Sequence, residues 1–225
     1  MAVQRNMLIF HDKNVDESHP WKSPFLACIL GSIGQGKTNV MMNILDELNN
    51  FYNRIVVFSA NKLDTKLAML GEGVEIYGAN VEKLNETITE IEKQQKKIKK
   101  AGKPLPPILL IFDDLISDKD FFPSTPKGNQ LVNFIISLRH YNTSVIITAQ
   151  QYKLIPKKLR SNTTMLFVFK LNEEDARDIF KEANFGKSVF KKAYDISTKD
   201  PHGFLYANFK TRSLCKGFGE ELNDL

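Results

Sequence analysis

Eight consecutive residues, Gly31-Ser32-Ile33-Gly34-Gln35-Gly36-Lys37-Thr38, fit the pattern G-x-x-x-x-G-K-[ST]. A loop of this kind turns successive backbone N–H groups inward to hold phosphate oxygens. The helix that follows adds the positive end of its dipole. Gly31, Gly34 and Gly36 permit the close backbone approach. Lys37 is placed to reach the β- and γ-phosphates, and the Thr38 hydroxyl to bind Mg²⁺. The pattern also occurs by chance in unrelated chains. Here an apolar run precedes it and a helix-periodic segment follows, which is the context it requires.

A second group lies in "PILLIFDDLI", where an apolar run ends in Asp113 and Asp114. Ligands of open parallel sheets gather at the carboxyl ends of strands. Asp113 suits the metal-holding acid of such a site. Asp114 is placed to polarise a water for attack on a γ-phosphate, although it could merely cap the next turn. The third group is "SVIITAQQ", an apolar run that ends in Gln150. A glutamine there can sense a γ-phosphate and orient water; the alternative is an exposed loop amide. Asp113 and Gln150 lie 37 residues apart, room for one helix and one strand, so their strands are expected to be neighbours. Arg139 in "ISLRHYN" and Arg160 in "KKLRSNTT" are candidate fingers that neutralise γ-phosphate charge, in cis or from a neighbouring subunit. A surface ion pair is the competing role for each. Lys157, Lys158 and Arg160 also form a short basic cluster that could meet DNA phosphates.

The elements that must position these residues can be read from hydrophobic periodicity. Near-continuously apolar runs at 25–30, 55–60, 108–113, 144–149 and 164–169 predict strands covered on both faces, as in a parallel sheet. Helices are predicted at 37–50, about 81–101 and 129–140, between the runs. That alternation argues for an α/β fold. "NEEDARDIFKEA" reads as a helix with Asn172 at its N-cap, "KSVFKKAYDI" as another short helix, and 203–210 as a closing strand. Weaker strand candidates are 6–10 and 74–77. The lysine-rich segment 92–107 reads as a solvated helix end and loop, with a nucleic-acid arm as the alternative.

The chain has 225 residues, which suits a single domain at 1–225, with an N-terminal extension at 1–22 and a small C-terminal extension at 171–225. A net charge of +5 permits a polyanionic partner without requiring one. Two cysteines, Cys28 and Cys215, without a C-x-x-C, support neither a zinc site nor a disulfide framework. No secretion signal or membrane span is read, so a soluble protein from a reducing compartment is expected.

"GSIGQGKT", "LLIFDDL", "SLRHYNTSVIITAQ" and "IPKKLRSNTT" together resemble the FtsK–HerA superfamily of P-loop motors, above all its viral branch of poxvirus-like and virophage-like genome-packaging ATPases. The resemblance spans roughly residues 23–210. It implies a RecA-like (ASCE) P-loop NTPase fold, a mostly parallel central sheet flanked by helices. It implies Mg²⁺-dependent ATP hydrolysis coupled to translocation of double-stranded DNA. Lys37 and Thr38 match the Walker A positions, Asp113 the metal-binding acid, Asp114 the catalytic acid and Gln150 the third-motif glutamine. Arg139 and Arg160 match positions where the family places arginines, one acting across a subunit interface. Many superfamily members carry glutamate where this chain has Asp114. The resemblance further implies a pentameric or hexameric ring, capsid or portal partners, and a location in the host cytoplasm, viral factory or virion.

Two alternatives stay open. Asn61-Lys62-Leu63-Asp64 fits the N-K-x-D guanine motif of small GTPases. It precedes the acidic strand rather than following it, and Asp113-Asp114-Leu115-Ile116 lacks the glycine of D-x-x-G. The other alternative is a non-motor protein whose nucleotide only stabilises an assembly.

Overall fold

The computed structural model describes residues 21, 24–48, 51–61, 65–70, 73–122 and 129–222. The expected strand at 6–10, nearly all of the expected N-terminal extension, and Lys62, Leu63 and Asp64 lie outside them. The strands are β1 (Leu26–Leu30), β2 (Arg54–Ser59), β3 (Val74–Tyr77), β4 (Ile108–Asp113), β5 (Thr143–Ala149), β6 (Met165–Phe169), β7 (Phe204–Asn208), β8 (Ser213–Lys216) and β9 (Glu220–Glu221). The helices are α1 (Lys37–Leu48), α2 (Thr65–Ala68), α3 (Val81–Lys100), α4 (Gln130–Ile136), α5 (Lys157–Arg160), α6 (Glu173–Glu182) and α7 (Lys187–Ser197). Short 3₁₀ turns occupy Leu138–Tyr141 and Tyr152–Leu154.

One sheet has the order β3-β2-β4-β5-β1-β6-β7-β8-β9. Every pairing from β3 through β6 is parallel, and those from β6 to β9 are antiparallel. This is the expected α/β architecture with a mostly parallel sheet. The five apolar runs became β1, β2, β4, β5 and β6, all but one of their residues buried. Alternate residues feed opposite faces, as the strand period of two requires. Leu26, Cys28 and Leu30 join a core with Ile88, Phe134 and Phe190. Ala27 and Ile29 join the other face with Met41, Trp21 and Phe167.

Local rules explain the covering helices. α3 starts at Asn80, whose side chain accepts from Lys83 N at 2.8 Å. It carries Glu82 in its first turn and Lys97, Lys99 and Lys100 in its last, each complementing the dipole. Leu84, Ile88 and Ile91 repeat at helical spacing and are fully buried against the sheet. Each such side chain contributes roughly 2 kcal/mol, so a charge at Ile88 would break the contact. Asn172 caps α6, accepting from Asp175 N at 2.8 Å. The helix expected over 129–140 stops at Ile136 and tightens into the 3₁₀ turn, which ends at Asn142 in a left-handed conformation (φ 44°). β8 and β9 are short, only Leu214 among them is buried, and periodicity did not reveal them. Among the described residues no helix is long and apolar enough to cross a membrane.

Candidate nucleotide site

β1 is parallel to both β5 and β6, so the loop after Leu30 opens at the edge where β4, β5 and β6 also end. Gly34 (φ 79°) and Gly36 (φ 111°) take conformations that favour glycine. Gly31 is required for a different reason. A Cβ there would stand 2.9 Å from Phe169 Cβ, at the end of β6. Gly31 N donates to Ala149 O at 3.1 Å, tying the loop to β5. α1 begins at Lys37, so the first N–H groups of a 12-residue helix face the loop. Lys37 Nζ donates to Gly31 O at 2.8 Å and to Ser32 O at 3.2 Å. Burial pulls the Lys37 pKa below the usual lysine value, against the smaller opposing pull of the Asp114 and Asp113 charges.

Both aspartates sit at the end of β4, between β2 and β5. Asp113 is buried. Ser59 Oγ, at the end of β2, donates to its Oδ2 at 3.2 Å, and Thr148 Oγ1, on β5, to its Oδ1 at 2.8 Å. The carboxylate is thus held from both neighbouring strands. Asp114 has φ 56° and leaves the strand. Aspartate tolerates this left-handed step better than most residues. Asp114 N donates to Thr148 Oγ1 at 2.9 Å, so one hydroxyl serves both acids. Gln150 Nε2 then reaches both oxygens of the Asp114 carboxylate, at 3.1 and 2.8 Å. β4 and β5 are direct neighbours, as the 37-residue separation predicts.

Lys37, Asp113, Asp114 and Gln150 therefore gather at one edge, beside Gly31–Thr38. The arginines do not join them. Arg139 lies exposed on the turn before β5, at the opposite edge of the sheet. The length of β5, about 20 Å at 3.3 Å per residue, separates that edge from Gln150. Arg139 adds to the burial that lowers the pKa of Lys210, which donates to Pro24 O at 3.0 Å ahead of β1. Arg160 is engaged elsewhere. Its Nε and Nη2 reach the two Glu182 oxygens at 3.0 and 3.1 Å, and its Nη1 reaches Ile155 O at 2.9 Å. Its guanidinium lies 4.9 Å from the Tyr152 ring centroid. Lys157 and Lys158 are exposed on α5.

Three residues escaped sequence reasoning. Ser59 and Thr148 carried a faint signal, a hydroxyl at the carboxyl end of an apolar strand on either side of the acidic one. His202 carried none. Its Nδ1 donates to Gln35 O at 3.0 Å across 167 residues of sequence. Asn61, the first residue of the N-K-x-D match, follows β2 and donates through its backbone N to Ser59 Oγ at 3.1 Å. β4 and β5 separate it from the loop strand.

Fold and loop together are those of a P-loop NTPase. The chain belongs to the poxvirus A32 protein family, whose model matches residues 12–199. The DNA packaging protein OPG160 of vaccinia virus (strain Copenhagen) is 26% identical over 178 residues, covering 78% of this chain and 64% of that protein. Its monkeypox virus counterpart is 26% identical over 184 residues, covering 80% and 59%. The chain thus spans about three fifths of the length of these curated relatives. The genome packaging NTPase B204 of Sulfolobus turreted icosahedral virus 2, solved with sulfate, matches with a TM-score of 0.65 at 13% identity. That match covers 86% of this chain and 96% of B204, a likeness of fold. B204 in complex with ATP-gammaS matches with a TM-score of 0.63.

Proposed function

We propose that this protein is an ATP-hydrolysing motor that translocates double-stranded DNA and packages a viral genome into a capsid. Family membership supports the packaging role. The observation that carries hydrolysis is the Gln150 amide on both oxygens of Asp114, beside the clamped Asp113 and the Lys37 loop. Lys37 and the N–H groups from Gly34 to Thr38 hold the phosphates. Asp114 accepts a proton from the attacking water, and Gln150 fixes the carboxylate that does so. Catalysis of this kind is positioning and charge neutralisation.

Mg²⁺ fits the residues present. It favours one or two carboxylates plus substrate phosphates and water over an all-protein cage. Asp113 offers a carboxylate fixed by two hydroxyl donors, and Thr38 a hydroxyl at the helix start. When bound, the ion would supply positive charge that offsets the charge of the phosphates. Asp113 and Thr38 would hold it.

Translocation requires several subunits acting in turn, so the working form is a homo-oligomeric ring, pentameric or hexameric. The γ-phosphate finger then comes from a neighbouring copy. Arg139, exposed and distant from its own loop, suits that role better than Arg160, which is committed to Glu182. Capsid or portal proteins are the further partners, and the viral factory or host cytoplasm the place of action. The guanine alternative is not favoured, because Asn61 stands on the carboxylate side of the loop. The deciding experiment is the ATPase rate with and without double-stranded DNA, together with the native mass. A monomer whose hydrolysis ignores DNA and survives Asp114→Asn would sink the motor in favour of an assembly protein.

A further inference from the structure

The site has two ends. Asp113, Asp114 and Gln150 mark the γ-phosphate end, on the side of β1 occupied by β5 and β4. β6 and β7 lie on the other side. A triphosphate lying along the loop with its terminal phosphate at Asp114 points its nucleoside toward β6 and β7. β7 runs antiparallel to β6, with Phe204 opposite Phe169. The turn 200–203, just before β7, therefore stands at the same edge as the loop. His202 joins the two, through its Nδ1 contact to Gln35 O at 3.0 Å.

The turn is built to present that ring. His202 has φ 61°, a left-handed conformation. Gly203 cannot be replaced cheaply, because a Cβ would stand 2.4 Å from Ser197 O. Gly203 N donates to Asp200 O at 3.0 Å, and the Asp200 carboxylate pairs with Lys216 of β8 at 3.3 Å. The turn is thus anchored to α7 and β8 while His202 stays exposed. A carbonyl oxygen only accepts, so the Nδ1 facing Gln35 carries the proton. In that tautomer Nε2 is the acceptor.

We infer that the turn 200–203 is the base-side wall of the nucleotide site, and that His202 Nε2 accepts a hydrogen bond from the exocyclic amine of adenine. This rests on the ATP reading above and adds base selection to it. Guanine carries a carbonyl oxygen where adenine carries that amine. Two acceptors would then face each other, so the same ring that welcomes ATP disfavours GTP. Selection of the base falls to a residue 167 positions from the loop it touches.

The test is equilibrium titration of the full chain with the β,γ-methylene analogues of ATP and GTP. His202→Gly removes the ring and suits φ 61° without strain. His202→Phe keeps a ring but no acceptor. Lys37→Ala is the phosphate-end control, and circular dichroism verifies each fold. Wild type should prefer the adenine analogue. Both His202 variants should bind it about tenfold more weakly, the worth of one hydrogen bond, while the guanine analogue, relieved of the opposed acceptor, should bind more tightly than to wild type. Lys37→Ala should weaken both analogues alike. A wild type indifferent to the base, or His202 variants that keep the wild-type preference, overturns the inference while leaving the phosphate site standing. Failure of wild type to bind either analogue overturns the nucleotide reading itself, and this inference with it.

Discussion

Thr148→Val tests whether one buried hydroxyl organises both acids. Thr148 Oγ1 accepts from Asp114 N at 2.9 Å and donates to Asp113 Oδ1 at 2.8 Å. The residue is fully buried, so water does not replace the lost hydroxyl. Valine keeps the shape of threonine, so no cavity opens and the change reports hydrogen bonding alone. The neutral bond is worth about 1 kcal/mol and the bond to a carboxylate about 1.5–3 kcal/mol. Asp113 retains its bond from Ser59, so the carboxylate is weakened rather than stripped. The loss is therefore roughly 2–4 kcal/mol. For a chain of this length, each kcal/mol moves the melting midpoint about 2–4 °C. Thr148→Val should melt roughly 5–15 °C below wild type. Ser59→Ala removes the longer bond to Asp113 and the bond accepted from Asn61 N, and should cost no more than Thr148→Val. Activity gives a second readout. With Asp113 and Asp114 no longer registered against each other, kcat should fall on the order of a hundredfold, measured well below the variant's melting midpoint. KM for ATP should move less, because the phosphate loop is untouched. An unchanged midpoint together with an unchanged kcat would refute the account of Thr148 as the shared anchor.

Lys37 has its pKa lowered by burial, so its charge is lost at a lower pH than an ordinary lysine's. ATP affinity should fall as pH rises through that folded value, since a neutral amine no longer offsets phosphate charge; a flat profile from neutral to strongly alkaline pH would contradict this. Gly31→Ala should destabilise by about 1–3 kcal/mol through overpacking, seen as a lower melting midpoint. Trimming the ring with Phe169→Ala should not rescue it, because the nearest atom is Phe169 Cβ at 2.9 Å, and full rescue would show the clash is assigned to the wrong atom. Arg160→Ala should cost about 2 kcal/mol through lost contacts to Glu182 and Tyr152, while Arg139→Ala leaves the melting midpoint near wild type. Mixing Arg139→Ala with Lys37→Ala subunits should restore part of the ATPase rate, and failure to do so argues against a finger supplied across an interface.

What was legible in the sequence was local. The glycine loop follows from backbone freedom at 34 and 36 and from the close approach at 31. The strand runs and α1, α3, α6 and α7 follow from apolar periodicity, and Asn172 from its capping chemistry. The parallel sheet was legible because strands buried on both faces must be apolar throughout. The neighbourhood of β4 and β5 was legible from the length of chain between Asp113 and Gln150. The limits are equally physical. α4 ends early because a 3₁₀ turn can carry the same apolar spacing for another residue or two. β8 is a strand because β7 offers it an edge, and β9 because β8 does, not because their residues favour one.

The sequence by itself determined the chemistry available: a phosphate loop, two adjacent carboxylates, a strand-end glutamine and two arginines, each at the end of an element. Those properties live within a few residues and follow from periodicity and side-chain type. Only the tertiary structure decided which of them meet. Parallel pairing of β4 and β5 carries the Gln150 amide to Asp114 across 36 residues. The same strand direction carries Arg139 to the far edge, although it lies only 11 residues before Gln150. An ion-pair partner on α6, Glu182, claims Arg160, and the reversal of β7 brings His202 to the loop. Contacts of that kind depend on strand order and direction, which no local pattern encodes.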